Sequence, residues 1–403
     1  VLSWQLLQDS RYRTYWISLF ASQLGTWMQS AAQGWLVIEL TGSAERLGLV
    51  VALQFLPSLL FSLFAGVISD RYPRRTLLIF TQGSMAVLAL AMTLLLLANW
   101  VRYEHVLLFA FLYGTANALD MPVRQAFTVE LAGRDRYPGA ISLNAFGFNL
   151  SRLLGPAISG LLIAAVGMSW SYFLNALSFL PLLGMLFYLP AERVRPRPSV
   201  GILEELGQGV RYVWQHPLMR QVILLLGATS MFGLNFQTLV PAYARLELGL
   251  DAQGYGFLIS AVGVGSMLAA LVQALAAKAR PLRSMVGSAL LGLSLMVLIL
   301  PLSPTWVAFW LGVAGFGGIT AMVNANTTVQ TLAPDAIRGK VMAFYSMVML
   351  GAGPPGAYLC GWLAHHLGGQ GAAFVLGLLT VVSVAILARF AWPRTLEREA
   401  SLG

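Results

Sequence analysis

Long apolar runs alternate along the chain with short polar breaks. The runs fall at about 14–38, 45–68, 76–98, 105–129, 138–166, 169–189, 219–244, 252–277, 283–301, 305–332, 337–364 and 371–391. A helix needs roughly 20 apolar residues to cross a bilayer, so the pattern predicts twelve membrane-spanning helices. Most breaks are short. The long one, about 190–218, reads AERVRPRPSVGILEELGQGVRYVWQHPLM. It opens with Pro196 and Pro198 among arginines and continues as a short amphipathic helix. The expected organisation is an N-terminal six-helix bundle over 1–190, a cytoplasmic linker carrying the amphipathic helix over 191–218, and a C-terminal six-helix bundle over 219–403. The first run is too long for the apolar core of a signal peptide and reads as a retained span.

Composition agrees with lipid as the solvent. The chain of 403 residues is 58% hydrophobic and 10% charged, against about a quarter charged in soluble domains. The formal charge of +9 does not gather on one basic face, so nucleic acid is not an expected partner. The basic residues sort by side instead. With the N-terminus inside, the external segments hold Arg46, Arg102 and Arg245, while Arg124 and Arg152 lie within spans. The other twenty of the 25 Lys and Arg are cytoplasmic. This follows the positive-inside rule and places both termini in the cytoplasm, in a plasma or inner membrane. The single cysteine, Cys360, excludes an internal disulfide.

The halves repeat. A shift of 201 residues brings Gly114 onto Gly315, Gly155 onto Gly356, Gly160 onto Gly361 and Gly167 onto Gly368, across spans 4–6 and 10–12 without a gap. Six spans per half, starting on the same side, make the repeats parallel, as in two-half transporters. The expected fold is therefore an all-α membrane protein whose twelve transmembrane helices form two parallel-repeat six-helix bundles.

The break between spans 2 and 3 reads GVISDRYPRR. Gly66, Asp70, Arg71, Arg74 and Arg75 resemble motif A of the major facilitator superfamily, with Pro73 in place of its usual glycine. The stretches LDMPVRQAF (119–127), ISLNAFGFNLSRLLGPAISG (141–160), YFLNALSF (172–179) and LAPDAIRGKVMAF (332–344) resemble the branch of that superfamily that contains the enterobactin exporter. Gly155-Pro156 resembles the exporter motif C, with Ser151 and Ser159 where two of its glycines stand. The resemblance covers the whole chain. It implies the major facilitator fold and a conformational latch at Gly66, Asp70, Arg71, Arg74 and Arg75 that meets the start of span 11 near Gly339-Lys340. A plainer role for these arginines is to fix topology.

Ionisable residues inside a span are functional candidates by default. Asp120, Arg124 and Arg152 are the proton-coupling candidates. Asp120 and Arg152 fall at similar depths on either side of the loop near Arg134, so they can pair across the hairpin. Arg124, at i+4, is a second partner for Asp120. An acid that trades an arginine for a proton would couple transport to a pH gradient; a permanent ion pair would only hold spans 4 and 5 together. Glu39 and Glu130, at span ends, are lesser candidates.

The resemblance also implies that spans 1, 4, 7 and 10 line the cargo path. There the chain places Trp27, Gln29, Gln33, Asn117, Met231, Asn235, Gln237, Asn324 and Asn326. A mostly apolar site with a few polar groups suits amphipathic small molecules, although polar side chains also link helices. Gly147, Ser151, Gly155 and Pro156 in span 5, with Gly353, Gly356 and Gly361 in span 11, form small-residue stripes. These suit either a sliding seam between halves or plain tight packing.

The chain lacks G-x-x-x-x-G-K-[ST], HExxH and GxSxG, so a nucleotide-driven pump and an enzyme are not expected. No metal site and no cofactor are expected either. The expected function is proton-coupled export of amphipathic small molecules, drug-like or siderophore-like, by alternating access. Carriage of lipid or lysolipid, or uptake of a small nutrient, is the alternative. The expected partners are the cargo and the bilayer, and the expected state is a monomer.

Overall fold

The computed structural model describes residues 3–133, 135–188, 202–275 and 280–401. The side chains of 3–4, 62–67, 69–71, 202–203, 205 and 390–401 are outside the described residues. Those of Gly66, Asp70 and Arg71 are among them, as is the proline-rich start of the expected linker.

All the described regular structure is helical. The first half contains α1 (Ser10–Thr41), α2 (Ala44–Arg71), α3 (Arg74–Leu97), α4 (Tyr103–Ala132), α5 (Tyr137–Val166), α6 (Ser169–Ser178) and α7 (Leu180–Tyr188). The amphipathic α8 (Ile202–Gln215) follows, then α9 (Pro217–Ala228), α10 (Phe236–Ala242), α11 (Ala252–Leu275), α12 (Pro281–Val297), α13 (Pro304–Leu332), α14 (Arg338–Gly351) and α15 (Gly353–Ser401).

Twelve spans follow from these elements. Helices α6 and α7 together make span 6 (Ser169–Tyr188), and α9 and α10, joined through π-helical turns, make span 7 (Pro217–Glu247). Helix α15 holds the end of span 11 and all of span 12, because Gly368 breaks it with a φ of 74°. Its repeat counterpart Gly167 ends α5 with a φ of 100°. Left-handed backbone suits glycine because it has no Cβ to clash.

Local chemistry sets the helix ends. Asp9 caps α1: its Oδ1 accepts from the backbone N–H of Arg11 at 3.0 Å and of Tyr12 at 3.4 Å, satisfying donors that a helix start leaves open. Pro138, Pro217, Pro281 and Pro304 open their helices, where a missing N–H costs nothing.

The chain forms two compact units. One comprises Val1–Gly42, Leu53–Ser199 and Leu250–Ser260; the other comprises Ser43–Ala52, Val200–Gly249 and Ala261–Gly403. The first turns of α2 thus pack within the second unit and those of α11 within the first, an exchange that a simple division at the central loop does not anticipate. In the first unit Tyr12, Tyr15, Leu19, Leu78, Val123, Phe127, Leu143, Leu182 and Leu186 form one core. In the second, Val213 of α8 joins Val222, Ile223, Leu226, Val329, Val341 and Tyr345.

The repeat is geometric as well as sequential. A Cβ on Gly114 would run into the Gln54 carbonyl of α2, and one on Gly315 into the Val262 carbonyl of α11. A Cβ on Gly160 would come 2.7 Å from the Ala252 carbonyl oxygen, and one on Gly361 2.5 Å from that of Ala44. Equivalent glycines therefore serve equivalent close helix crossings.

Candidate functional site

The first unit buries a carboxylate completely. Asp120 sits in α4, two residues before Pro122, and is 0% exposed. Its Oδ1 accepts two hydrogen bonds from α3, one from Thr81 Oγ1 and one from Gln82 Nε2, both at 2.8 Å. Its Oδ2 accepts none; Arg124 Nη1, one turn on, stands 3.5 Å away. Ser22 on α1 donates to Gln82 Oε1 at 3.5 Å, tying a third helix to the cluster. One oxygen of the carboxylate is clamped by neutral donors and the other is held only by charge.

Polar groups continue beyond Arg124. Thr128 Oγ1 donates to the Arg124 carbonyl at 2.9 Å and stands 2.8 Å from the Tyr15 hydroxyl. Asn144 Nδ2 donates to Thr128 at 3.4 Å. Asn144 Oδ1 and the Tyr12 hydroxyl are buried without a hydrogen-bond partner. A buried polar atom left bare costs free energy, so four of these side chains (Tyr12, Tyr15, Thr128 and Asn144) form an unusually polar neighbourhood inside an apolar core.

Of the two arginines foreseen as partners, Asp120 takes Arg124. Arg152, in α5, is partly exposed and makes no ion pair or hydrogen bond with any described residue. The boundary acids are engaged elsewhere. Glu39 accepts from Trp35 Nε1 at 2.8 Å, and Glu130 pairs with Arg74 at 3.0 Å.

That last pair bears on the expected latch. Arg74 donates to the Ala126 carbonyl and to Glu130, and Arg75 to the carbonyls of Leu186 and Phe187. Both motif arginines thus bond within the first unit. Lys340, at the expected receiving end, donates to Gln208 of α8 at 2.6 Å within the second unit. The glycine, acid and remaining arginine of the motif (Gly66, Asp70 and Arg71) lie outside the described side chains.

The expected cargo-path residues divide by what their side chains do. Gln29 accepts from Asn175 Nδ2 and Gln33 donates to Gln54 Oε1, each at 2.8 Å, and both are buried. Asn324 donates to Gln273 Oε1 and accepts from the Arg280 N–H. These three link helices. Asn326 accepts from Gln330 at 2.6 Å, and Asn235 donates to the Met231 carbonyl at 2.7 Å. Asn117 and Gln237 are partly exposed and bond to no described residue. Trp27 lies edge-on to Phe148.

The small-residue stripe of α5 packs within its own unit. A Cβ on Gly147 would meet Trp16 and Phe20, and one on Gly155 would meet Trp27, all on α1; Ser151 Oγ donates to the Phe20 carbonyl. These three residues thus pack against α1, while Pro156 lies against Gly256 of α11 and Gly361 against Ala44 and Gly48 of α2. Gly356 plays the same part against Met231, and nothing crowds Gly353.

Sequence reading missed two features. One is the Thr81-Gln82 pair that clamps Asp120; two adjacent polar residues in the apolar run of span 3 were the available signal. The other is the break in span 7, where π-turns at Thr229–Gly233 and Tyr243–Glu247 flank α10 and Leu234-Asn235 leaves the helix. Such interruptions often mark functional sites.

Comparison with known proteins places this geometry. The family described as "Transmembrane secretion effector" matches residues 2–402. The enterobactin exporters EntS of Shigella boydii serotype 18 and of Escherichia coli O81 are each 29% identical over 374 residues, 91% of this chain and 85% of theirs. Among solved structures, the nucleoside transporter NupG superposes with a TM-score of 0.72 at 13% identity, covering 94% of this chain and 98% of that one. A D-xylose–proton symporter gives 0.71 at 18% identity, over 93% and 96%. At these identities the structures speak for the fold. The multi-pass helical chain, its parallel repeat and the full-length family match have one conclusion: the protein belongs to the major facilitator superfamily of secondary transporters, in the family of transmembrane secretion effectors.

Proposed function

We propose that this transporter exports amphipathic small molecules from the cytoplasm in exchange for protons. It works as a monomer in the inner membrane with both termini inside, and the pH gradient, not a cofactor, drives it. The observation that carries the coupling is the unequal treatment of the two Asp120 oxygens. Oδ1 is held by Thr81 and Gln82, while Oδ2 faces Arg124 at 3.5 Å with no hydrogen bond. A carboxylate left alone in an apolar interior takes up a proton instead of staying charged. In this reading a shift of α4 about Pro122 separates Arg124 from Oδ2 and a proton replaces it. The return shift expels the proton. Thr81 and Gln82 hold the carboxyl in place throughout. The export direction is supported by relatives whose printed name is enterobactin exporter, and the amphipathic cargo by the mostly apolar composition of the expected path with its few polar groups.

The test is proton flux in proteoliposomes with a pH probe inside and an imposed gradient. Amphipathic drugs, siderophores and lysolipids are added in turn, with Asp120→Asn beside the parent. Drugs or siderophores should trigger proton movement in the parent only. Cargo crossing without proton flux would overturn the coupling. A response confined to lysolipids would overturn the cargo class.

A further inference from the structure

The described charges within the spans of the first unit do not balance. Asp120 is the one acid well inside a span, and Arg124 and Arg152 are the two bases. Arg124 takes Asp120. Glu39 and Glu130, the acids at the span ends, are held by Trp35 and Arg74. Arg152 is left with no acid and no hydrogen bond among the described residues. A guanidinium is expensive to place in a membrane unless it meets water or an anion. It is also always charged, so it cannot escape by losing a proton.

The surroundings of Arg152 say which kind of anion fits. On α5, Phe148 precedes it by one turn and Pro156 follows by one turn. Phe148 lies edge-on to Trp27 of α1, ring centroids 5.7 Å apart. The Pro156 carbonyl lies where a Cβ on Gly256 of α11 would approach to 3.0 Å. Arg152 therefore stands on the stretch of α5 between its contacts with α1 and with α11. A helical side chain leans toward the preceding turn, which carries it toward the Phe148–Trp27 pair. A partly open arginine one turn after Phe148 offers one charge-assisted bond, with the Phe148–Trp27 pair as an apolar platform on the turn before it.

We infer that Arg152 is a cargo-recognition residue that binds the anionic group of an aromatic amphiphile (a sulfonate, carboxylate or phenolate) while Phe148 and Trp27 take its apolar part. This rests on the reading of the protein as a carrier of amphipathic molecules and narrows the class to anions. An anionic lipid headgroup has the same chemistry, so the test separates the two sources.

The probes are 1-anilinonaphthalene-8-sulfonate and the uncharged N-phenyl-1-naphthylamine, which differ by the sulfonate. Binding is read by fluorescence on purified protein in nanodiscs of phosphatidylcholine, with empty discs subtracted. The parent should bind both saturably. Arg152→Gln should weaken the sulfonate by about tenfold, the scale of one hydrogen bond to a charged group, and leave the neutral probe within about twofold. Arg152→Lys, which keeps the charge, should retain most of the sulfonate affinity and shows that the site still folds. Equal binding of the sulfonate by parent and Arg152→Gln, with the neutral probe still bound, would overturn the role of Arg152 and leave the carrier reading intact. Binding of neither probe by the folded parent would overturn the carrier reading and the inference together. In discs containing phosphatidylglycerol, loss of sulfonate binding by the parent alone would assign the site to a headgroup and overturn the cargo assignment. Unchanged binding supports it.

Discussion

The two repeats share one register and differ in charge. In the first, α4 carries Asp120 and Arg124 and α5 carries Arg152. The same positions 201 residues on hold Ala321, Ala325 and Gly353. Ala321 and Ala325 are each 2% exposed, so the second repeat packs the equivalent place with small apolar side chains. Its nearest polar cluster is neutral: Asn324 bonds Gln273, the Thr320 carbonyl and the Arg280 N–H. The fold is thus built once with the charges and once without them. Buried ion pairs stabilise little when their desolvation is counted. The charges in the first repeat therefore need a reason beyond packing, and the proposed proton coupling would be one.

The largest expected effect falls on Asp120. Asp120→Asn should reduce gradient-driven export to background while leaving downhill exchange of cargo measurable, because the amide can still accept from Thr81 but cannot trade a proton. Counterflow without a gradient, compared with gradient-driven uptake into inverted vesicles, reads both. Retained gradient-driven export would erase the functional distinction between the repeats.

Next comes the partner. Arg124→Gln leaves a buried carboxylate uncompensated, and breaking a buried pair from one side costs about 3–5 kcal/mol. A clear drop in thermal unfolding temperature is expected. The double variant Asp120→Asn, Arg124→Gln should recover much of it, since neither charge then remains. A double variant as unstable as the sum of the singles would mean that the two do not interact.

A smaller effect is expected in the neutral cluster. Asn324→Ala takes from the half-buried Gln273 Oε1 and from the N–H of the exposed Arg280 their present partner, at about 0.5–1.5 kcal/mol for each hydrogen bond lost. Stability should fall while the dependence of export on the pH gradient stays as in the parent. A lost dependence would show coupling spread over both repeats. The smallest effect belongs to the surface pair Arg338–Asp335, whose acid is 88% exposed. Exposed pairs contribute about 0–1 kcal/mol, so Asp335→Asn should leave melting and transport unchanged within error.

These contrasts also explain what the chain reveals before it is folded. Span number was legible because lipid enforces long apolar runs. The repeat was legible because close helix crossings demand glycine at matched places, as at Gly160 and Gly361. Asp120 and Arg152 stood out because charge is rare in such runs. Partner choice was not legible, because depth along two helices does not fix which way a side chain turns. Arg124 and Arg152 were both within reach of Asp120 by spacing, and rotation about α4 and α5 decided between them. Gln29, Gln33 and Asn324 looked like cargo ligands by residue type, yet the neighbouring helices supply their bonding partners. Arg74 matched a motif, but its actual acceptors, Glu130 and the Ala126 carbonyl, lie more than fifty residues away in the chain.

The interruption of span 7 has a consequence for biosynthesis. A helix that enters lipid before its neighbours must satisfy its own backbone. Where span 7 breaks, the Met231 carbonyl is met by the amide of Asn235, four residues on in the same segment. The segment thus brings part of its own seal. Replacing Asn235 by leucine would make the span more apolar yet strip that carbonyl of its local donor, so insertion efficiency should gain less than hydropathy alone assigns to the exchange.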